Sequence, residues 1–431
     1  MNIRFYDAKI LRTGEDHTFF VETGELWVLG STIAYIGDGK DTPDAPIWDK
    51  EIDADGNLLM PGFKDAHTHT AMTFLRSYAD DLPLQEWLNK QVFPMEGKLT
   101  GEDVYWTSIL GIMEYLTSGI TSNFDMYFFP QQVIQASVDC GFRTVQVGAV
   151  NDFVSSMEEM EECYHKVHAM SELTSYMIGF HAEYTTSHQK LEQIAALADK
   201  LHSPVYLHNS ETALEVEECK KRYGMTPTQL TDELGMYAYG GGGYHCIYFD
   251  EKDIDIFAKK DLSVVTNPAS NLKLASGIAP VKTFLDRGIN VAIGTDGAAS
   301  NNCLDMFREM FLTTGLAKIR EKDAACFGAD EVLYMATAGG AKAMGLADCD
   351  RLAEGKRADL IMIDSKQPNM QPENNIVKNI VYSGSKQNVI LTMVNGRILY
   401  ENRKGAGMQF EIGFDPEEIY RKVNEIVSTH R

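Results

Sequence analysis

The middle of the chain alternates short apolar segments with helix-like segments, and this alternation restricts the fold more than any other feature. Thr100 to Asp103 signals the start of a predicted helix that ends at Ser118-Gly119, and residues 332–346 read as another helix. Eight apolar segments are the predicted strands: LLMPGF, GITSNF, FRTVQVG, YMIGFH, PVYLHN, YHCIYF, LSVVTN and INVAIGTD. Eight strand–helix units predict a parallel (β/α)₈ TIM barrel. An open doubly wound sheet is the rival, but no G-x-G-x-x-G motif follows the first strand.

The two chain ends have a different pattern, with short strands punctuated by Gly and Asp. Asn395-Gly396 lies between two apolar runs and predicts a hairpin turn. We therefore predict that residues 1–57 and 358–431 together form a small β-sandwich domain, and that residues 58–357 form the barrel. The run Gly240–Gly243 is either slack in a loop or a place where the backbone passes close to a ligand.

Composition narrows the classes of partner and the expected compartment. The net charge is −23 and no Lys/Arg cluster is present, so nucleic acid is not an expected partner. Seven cysteines, an odd number without a C-x-x-C pair, argue against a disulfide framework and fit a reducing cytoplasm. No segment of eighteen apolar residues predicts a membrane span, and the N-terminus lacks the apolar block of a signal peptide.

Polar side chains collect where the predicted strands end. Because the C-terminal ends of barrel strands form the active-site face, this agreement predicts a single catalytic site there. The residues at or near these ends are His67, His69, Asp125, His181, His208, His245, Asn267 and Asp296.

The pair His67 and His69 is the sharpest local motif. Alternate residues of an extended segment point the same way, so both imidazoles can reach one ion. A His-x-His pair alone is weak evidence, but His208 and Asp296 lie on other strand ends. Three imidazoles and a carboxylate predict one divalent metal, with Zn²⁺ as first choice and Fe²⁺ or Mn²⁺ compatible.

Two further residues have the chemistry that a bound water needs. Glu211, three residues after His208, suits proton transfer, although it also reads as an ordinary acid in a first helical turn. His245 suits orientation of the attacking oxygen, although it also reads as a hydrogen-bonded core histidine.

The segment PGFKDAHTH at 61–69 resembles the amidohydrolase superfamily. Longer strings resemble its branch of 5-methylthioadenosine/S-adenosylhomocysteine deaminases, and the resemblance covers nearly the whole chain. These strings are PLQEWLNKQVFPMEGKLT (83–100), HCIYFDEKDI (245–254), TNPASNLKLASGIAPV (266–281) and GTDGAASNN (294–302).

The resemblance implies a hydrolase that removes the amino group of an adenine nucleoside and releases ammonia. It implies metal ligation by His67, His69, His208 and Asp296, and catalytic roles for Glu211, His245 and Asp296. It also implies that Glu96 holds the ribose hydroxyls and that His181 contacts the substrate, as does Glu211. No lysine ends the fourth strand, so we expect one metal rather than a lysine-bridged pair. Homo-oligomer formation is compatible with the sequence.

One departure from the family pattern concerns the substrate. Family members that bind S-adenosylhomocysteine have an arginine where this chain has Gly148, and Arg143 falls earlier in the strand. We therefore expect S-adenosylhomocysteine to bind poorly, which leaves methylthioadenosine, adenosine and 5′-deoxyadenosine open. The alternatives are a guanine or cytosine deaminase, a triazine chlorohydrolase, a cyclic-amide hydrolase and a non-enzymatic binding scaffold.

Overall fold

The computed structural model describes residues 1–14, 16–40, 46–153, 156–403 and 407–430, whose strands form two sheets. A mixed sheet begins with β1 (Asn2–Thr13), β2 (Phe19–Leu29), β3 (Thr32–Gly37), β4 (Lys50–Asp53) and β5 (Leu58–Pro61). A parallel sheet contains β6 (Phe63–Thr68), β7 (Ile120–Met126), β8 (Arg143–Val147), β9 (Thr174–Ala182), β10 (Val205–Asn209), β11 (Gly241–His245), β12 (Ser263–Thr266) and β13 (Asn290–Ile293). The mixed sheet is completed by β14 (Leu360–Ile363), β15 (Val389–Val394), β16 (Arg397–Glu401) and β17 (Gln409–Phe410).

Helices lie between the strands of the parallel sheet and after its last strand, β13. They are α1 (Leu84–Trp87), α2 (Phe93–Glu96), α3 (Gly101–Thr117), α4 (Pro130–Cys140), α5 (Met157–Met170), α6 (His188–Leu201), α7 (Ala213–Tyr223), α8 (Pro227–Glu233), α9 (Glu251–Lys259), α10 (Pro268–Lys273), α11 (Val281–Asp286), α12 (Met306–Glu321), α13 (Ala329–Tyr334), α14 (Gly340–Ala343), α15 (Ile376–Lys378) and α16 (Pro416–His430). Turns of π-helix span Leu88–Val92, Met335–Gly339 and Asn379–Ser383, and turns of 3₁₀-helix span Thr70–Leu75, Glu183–Thr185, Pro368–Met370 and Lys386–Asn388. α3 has the predicted start, because Thr100 and Asp103 form a capping box.

The eight parallel strands form the predicted barrel. Each strand from β6 to β13 pairs with the next one in the chain. The ends of this sheet meet where Asp296 N donates to His67 O at 2.9 Å and Thr295 N donates to Asp65 Oδ1 at 2.8 Å. Buried apolar and aromatic side chains pack together from the strands β6, β7, β8, β10, β11, β12 and β13. The barrel therefore has a packed interior.

Both chain ends build the mixed sheet, as predicted. Its strand order is β17-β16-β15-β14-β5-β1-β2-β3, with β4 pairing β1. The predicted hairpin is confirmed, because β15 and β16 pair antiparallel and Asn395 and Gly396 have φ values of 51° and 76°. The sheet meets the barrel at Arg143, which binds both carboxylate oxygens of Asp359 at 2.7 and 3.1 Å. The division of the chain at 57/58 and 357/358 stays a prediction.

Two strand assignments from the sequence were wrong. Leu58–Pro61 pairs with β14 in the mixed sheet, and the first barrel strand is Phe63–Thr68. Both segments are fully buried, so the apolar pattern does not distinguish them. The sixth strand is Gly241–His245 rather than 244–249. A Cβ on Gly241 would lie 2.1 Å from Val205 O, so close strand packing explains much of the glycine run.

The second predicted helix also differs in detail. It begins at Ala329, includes the π-helical turn Met335–Gly339, and ends at Ala343 instead of spanning 332–346. A Cβ on Gly340 would lie 2.7 Å from Cβ of Lys64 in β6, so this helix packs closely on the barrel. Among the helices of the described residues, none has the length and apolar character that crossing a bilayer requires.

Candidate active site

The four predicted metal ligands converge at the C-terminal rim of the barrel. One ligand atom from each of His67, His69, His208 and Asp296 lies within 4.8 Å of the other three. Asp296 Oδ1 lies 3.2 Å from His69 Nε2 and 3.7 Å from His67 Nε2. His208 Nε2 lies 3.3 Å from His69 Nε2. Residues more than 220 positions apart in the chain therefore face one point.

Backbone carbonyls orient two of the imidazoles. His69 Nδ1 bonds Met126 O at 2.5 Å, and His208 Nδ1 bonds His181 O at 2.8 Å. A carbonyl oxygen only accepts, so each Nδ1 carries a proton and donates it. The Nε2 atoms are then available as ligands, which is the arrangement found around protein-bound metals.

The surroundings of His67 test whether a cation fits between the four predicted ligands. Its side chain is fully buried, and neither ring nitrogen has a hydrogen-bond partner in the part of the chain that the structure describes. Its ring stacks on Tyr244 with centroids 3.7 Å apart. A buried polar atom without a partner is unfavourable, and a divalent cation coordinated by Nε2 would remove that penalty. The donor set of three imidazoles and a carboxylate fits one such ion.

Electrostatics in this cluster favour the ligating protonation states at three of the four residues. Burial lowers the pKa of His67 and of His208 well below the usual range, so both are neutral. Burial alone would raise the pKa of Asp296, but the hydrogen bond to His69 and neighbouring histidines hold it well below its usual range. Burial lowers the pKa of His69, and the contact with Asp296 outweighs burial and raises it to about 9. A metal ion therefore displaces the His69 proton when it binds.

Glu211 and His245 lie beside the ligand cluster. Glu211 Oε2 is 3.9 Å from His245 Nε2, and His245 Nε2 is 4.0 Å from Asp296 Oδ2. Burial raises the pKa of Glu211 above its usual range, which favours the protonated form of its carboxyl group. Ser276 Oγ donates to Glu211 Oε1 at 3.1 Å. The carboxyl group of Glu211 and the imidazole of His245 therefore lie next to the predicted metal ligands.

A pocket opens from this cluster toward α1 and α2. Its wall includes Glu96, His181 and the apolar side chains of Met72, Leu84, Trp87, Leu88, Phe93, Phe128 and Leu274. The structure thus brings all the predicted site residues to one pocket and its metal cluster.

Glu96 has unused hydrogen-bonding capacity in this pocket. Its carboxyl group is buried, and Oε1 has no partner among the described residues. Burial raises the pKa of Glu96 to about 7, with Tyr127 acting in the opposite direction. An unsatisfied buried acceptor in the wall of such a pocket is the type of group that binds sugar hydroxyls.

The sequence reasoning missed the residues that hold the reacting groups in place. Asn271 Oδ1 lies 2.7 Å from His245 Nδ1, and Ser270 Oγ donates to Asp296 Oδ2 at 2.6 Å. Both lie in α10, within the string TNPASNLKLASG that carried part of the family resemblance. The string marked the segment, but no side-chain role was assigned to it.

Two predicted strand-end residues do not join the metal cluster. Asp125 accepts a hydrogen bond from Thr70 N at 3.2 Å. Asn267 precedes α10, and its buried side-chain amide has no partner among the described residues. Neither Asp125 nor Asn267 therefore belongs to the group of four side chains that could hold a metal ion.

Comparison with known proteins agrees with this geometry. The model of the Amidohydrolase family matches residues 58–399. The chain is 38% identical to a 5-methylthioadenosine/S-adenosylhomocysteine deaminase of Caldanaerobacter subterraneus subsp. tengcongensis, over 99% of this chain and 98% of that protein. It is 38% identical to a 5′-deoxyadenosine deaminase of Methanothermobacter thermautotrophicus, over 88% of this chain and 90% of that protein.

A solved structure shares the whole architecture. The zinc-bound adenosine deaminase from Xanthomonas campestris superposes with a TM-score of 0.92 at 30% identity, covering 100% of this chain and 98% of that one. The family model, the relatives and the His-His-His-Asp cluster agree with one another. This chain therefore belongs to the amidohydrolase family.

Proposed function

We propose that the protein is a metal-dependent hydrolase that removes the amino group of an adenine nucleoside, releasing ammonia and the hypoxanthine nucleoside. The observation that carries this proposal is the convergence of His67, His69, His208 and Asp296 beside a protonatable acid, Glu211, in one largely apolar pocket. The deaminase names of relatives that match nearly the whole chain support it.

The ligands in this role are His67, His69, His208 and Asp296, and Zn²⁺ is our assignment for the ion, with Fe²⁺ and Mn²⁺ also compatible. When bound, such an ion lowers the pKa of water to about 7, which supplies a nucleophile at neutral pH. The zinc-bound adenosine deaminase of similar fold supports the choice of zinc.

Proton transfer is assigned to three side chains. Asp296 accepts a proton from the attacking water, and its Oδ2 is already fixed by Ser270. Glu211 donates a proton to the ring nitrogen beside the carbon that bears the amino group, for which its raised pKa is suited. His245 orients the attacking oxygen through Nε2, because Nδ1 is engaged by Asn271. Asp296 then gives its proton to the amino group as the carbon–nitrogen bond breaks, and the hydroxyl of the intermediate releases its proton to Glu211 as the carbonyl forms, so both acids regain their starting states.

Binding of the sugar is assigned to the other end of the pocket. Glu96 accepts hydrogen bonds from the ribose hydroxyls, and His181 forms a further contact with the substrate. His181 is suited to this role because burial lowers its pKa to about 4, so the imidazole is neutral. Its Nδ1 lies 3.0 Å from Thr185 Oγ1, which fixes the ring.

We further propose that the preferred substrate has an uncharged 5′ group. Arg143 is committed to Asp359, so it cannot replace the arginine expected at Gly148. A side chain at Gly148 would meet Gly179 O and Met160 Sδ, each 2.7 Å from an added Cβ. The charged side chains of the pocket wall are the acids Glu96, Glu211 and Asp296, and its remaining wall is largely apolar. Methylthioadenosine, 5′-deoxyadenosine and adenosine fit this environment better than the carboxylate of S-adenosylhomocysteine.

An ultraviolet deamination assay tests the proposal with adenosine, 5′-deoxyadenosine, methylthioadenosine and S-adenosylhomocysteine. We expect the three uncharged substrates to have kcat/KM values on the order of tenfold or more above S-adenosylhomocysteine, since a carboxylate without its partner binds poorly. Asp296→Asn is the inactive control. Turnover of guanine, cytosine or a triazine with all four nucleosides inert would refute the substrate class.

The assembly and compartment of the protein stay predictions. We expect a cytoplasmic protein that binds a small aminopurine and forms a homo-oligomer. Light scattering of the purified protein measures the mass of the assembly, and a monomeric mass near 48.1 kDa would refute the oligomer.

A further inference from the structure

Glu215 is a buried acid that the reaction scheme above does not use. It lies in the first turn of α7, four residues after Glu211, and only 5% of its surface is exposed. Its Oε1 accepts a hydrogen bond from Ser210 N at 2.9 Å, and its Oε2 accepts one from Glu211 N at 2.8 Å. One carboxylate therefore accepts hydrogen bonds from two consecutive backbone N–H groups, which directly follow β10 and include that of Glu211.

Helix capping alone does not require this arrangement. The N-terminus of α7 already has a cap, because Thr212 Oγ1 accepts from Glu215 N at 3.2 Å. Burial and the neighbouring Glu211 raise the pKa of Glu215, whereas the N–H groups of Ser210 and Glu211 act in the opposite direction and favour its carboxylate form. A carboxylate in a first helical turn is usually exposed to water, where it stabilises the helix without this desolvation. What distinguishes Glu215 from an ordinary capping acid is that it binds the N–H groups of two residues that precede the cap, and this points to a function beyond the cap.

The chain is bent at the point that Glu215 holds. Ser210 has φ of 53°, a left-handed conformation that costs a non-glycine residue on the order of 1 kcal/mol. This bend follows His208 and precedes Glu211, so it sets the direction in which the Glu211 side chain leaves the rim. The hydrogen bonds that Ser210 N and Glu211 N donate to the Glu215 carboxylate stabilise this bent conformation.

We propose that Glu215 is a positioning residue for the deamination: its carboxylate fixes the Ser210–Glu211 backbone so that Glu211 reaches the substrate ring. This inference rests on the proposed role of Glu211 as proton donor. Among the described residues, Ser276 Oγ is the one hydrogen-bond donor to the Glu211 carboxyl group, so the placement of this side chain depends strongly on its own backbone. Small displacements of a proton donor lower the rate more than they lower substrate affinity.

Glu215→Gln is the variant that separates these effects. Glutamine keeps the shape, but its amide NH₂ opposes one of the two backbone N–H donors. We expect kcat to fall about 10- to 100-fold, while KM changes less than about threefold, as for a misplaced catalytic group. Metal content, measured by elemental analysis, is expected to stay unchanged. A kcat within twofold of the parent would overturn the inference.

Asp253→Asn is a matched control. Asp253 is also a buried acid in a first helical turn, where it accepts from Asp250 N at 3.0 Å and Thr226 Oγ1 at 2.5 Å. We expect both variants to have a lower melting temperature than the parent. At a temperature where both are folded, we expect only Glu215→Gln to have a lower kcat. An equal loss of kcat in Asp253→Asn would show that any buried cap has this effect, and would overturn the inference.

A double-mutant cycle tests whether Glu215 acts through Glu211. Glu211→Gln, Glu215→Gln and the double variant are compared in single-turnover experiments with enzyme in excess, so that slow rates are measurable. If the two residues act as a unit, the effect of Glu215→Gln shrinks to less than about threefold in the Glu211→Gln background. Additive effects would overturn the positioning role.

The cycle also distinguishes the two proposals. A Glu211→Gln variant with parental kcat would refute the proton-donor role itself, and the inference with it. A strong loss in Glu211→Gln with no loss in Glu215→Gln would refute the inference alone. If Glu215→Gln does not fold, Glu215→Asp keeps the charge and shortens the reach, and a parental kcat in that variant would equally overturn the inference.

Discussion

The two ends of the pocket are built differently. At the metal end, the ligands and proton-transfer groups lie at the ends of β6, β10, β11 and β13, and hydrogen bonds from neighbouring residues fix several of them. At the far end, the helical segment 84–96 supplies much of an apolar wall, with Glu96 as its acid. We therefore expect the reaction to depend on the rim of the barrel, and the choice of substrate to depend on the segment that follows its first strand.

Removing the metal should produce the largest effect. Dialysis against a chelator is expected to abolish deamination while the barrel stays folded, because its core is independent of the metal ligands. Adding Zn²⁺ or Mn²⁺ should restore activity, and should raise the melting temperature, because a ligand that binds only the native state stabilises it. Full activity with a metal content below one-tenth equivalent would contradict the metal requirement.

Asp296→Asn attacks the metal end directly. Asparagine keeps the size but removes both the negative ligand and the proton acceptor, so we expect kcat to fall on the order of 10³- to 10⁴-fold. Circular dichroism should show an unchanged fold. Asp125→Asn is the neighbouring comparison, because Asp125 is buried at a strand end but lies outside the ligand cluster. It should retain far more activity, and equal losses in both variants would remove the distinction.

Glu96→Gln attacks the sugar end, with an effect that depends on pH. Burial raises the pKa of Glu96 to about 7, and only the ionised carboxylate accepts hydrogen bonds with both oxygens. Protonation below that pH should therefore lower kcat/KM of the parent enzyme as pH falls. In Glu96→Gln we expect KM to be about 10- to 100-fold higher at pH 8, the cost of one or two hydrogen bonds to a charged group.

The pH profile supplies the check on that prediction. The fall in kcat/KM that begins near pH 7 should be absent from Glu96→Gln, because the titrating group is gone. For a substrate without ribose, adenine itself, the variant and the parent should be equally poor. A variant whose profile still follows the parent would assign that titration to another group.

Leu84→Ala should give the smallest effect. Leu84 is half-buried in the apolar wall, so its loss should cost little stability. For methylthioadenosine we expect kcat/KM to fall about 5- to 10-fold, the value of a lost apolar contact in a pocket, with a smaller change for adenosine. Leu29→Ala, in β2 of the mixed sheet, is the control for a partly exposed leucine far from the pocket. Equal losses for both substrates would place the 5′ group elsewhere.

Much of the architecture could be predicted from the sequence because two local patterns indicate it. The alternation of apolar strands and helices predicted the barrel, and Asn395-Gly396 predicted the hairpin of the mixed sheet. The same patterns failed at Leu58–Pro61, since a buried strand reads alike in either sheet. They failed again at Gly241–His245, since glycine carries no apolar signal and its role there is close strand packing.

The sequence by itself determined which side chains could bind a metal and which end of the strands they occupy. It could not determine the supporting contacts, because Asn271 on His245, Ser270 on Asp296 and Glu215 behind Glu211 are ordinary polar residues until the backbone brings them together. It left open whether Arg143 serves the substrate, and the tertiary structure decided this by placing Asp359 against it. The physical reason is that residue type fixes what a group can do, whereas burial, orientation and partners come from segments distant in the chain.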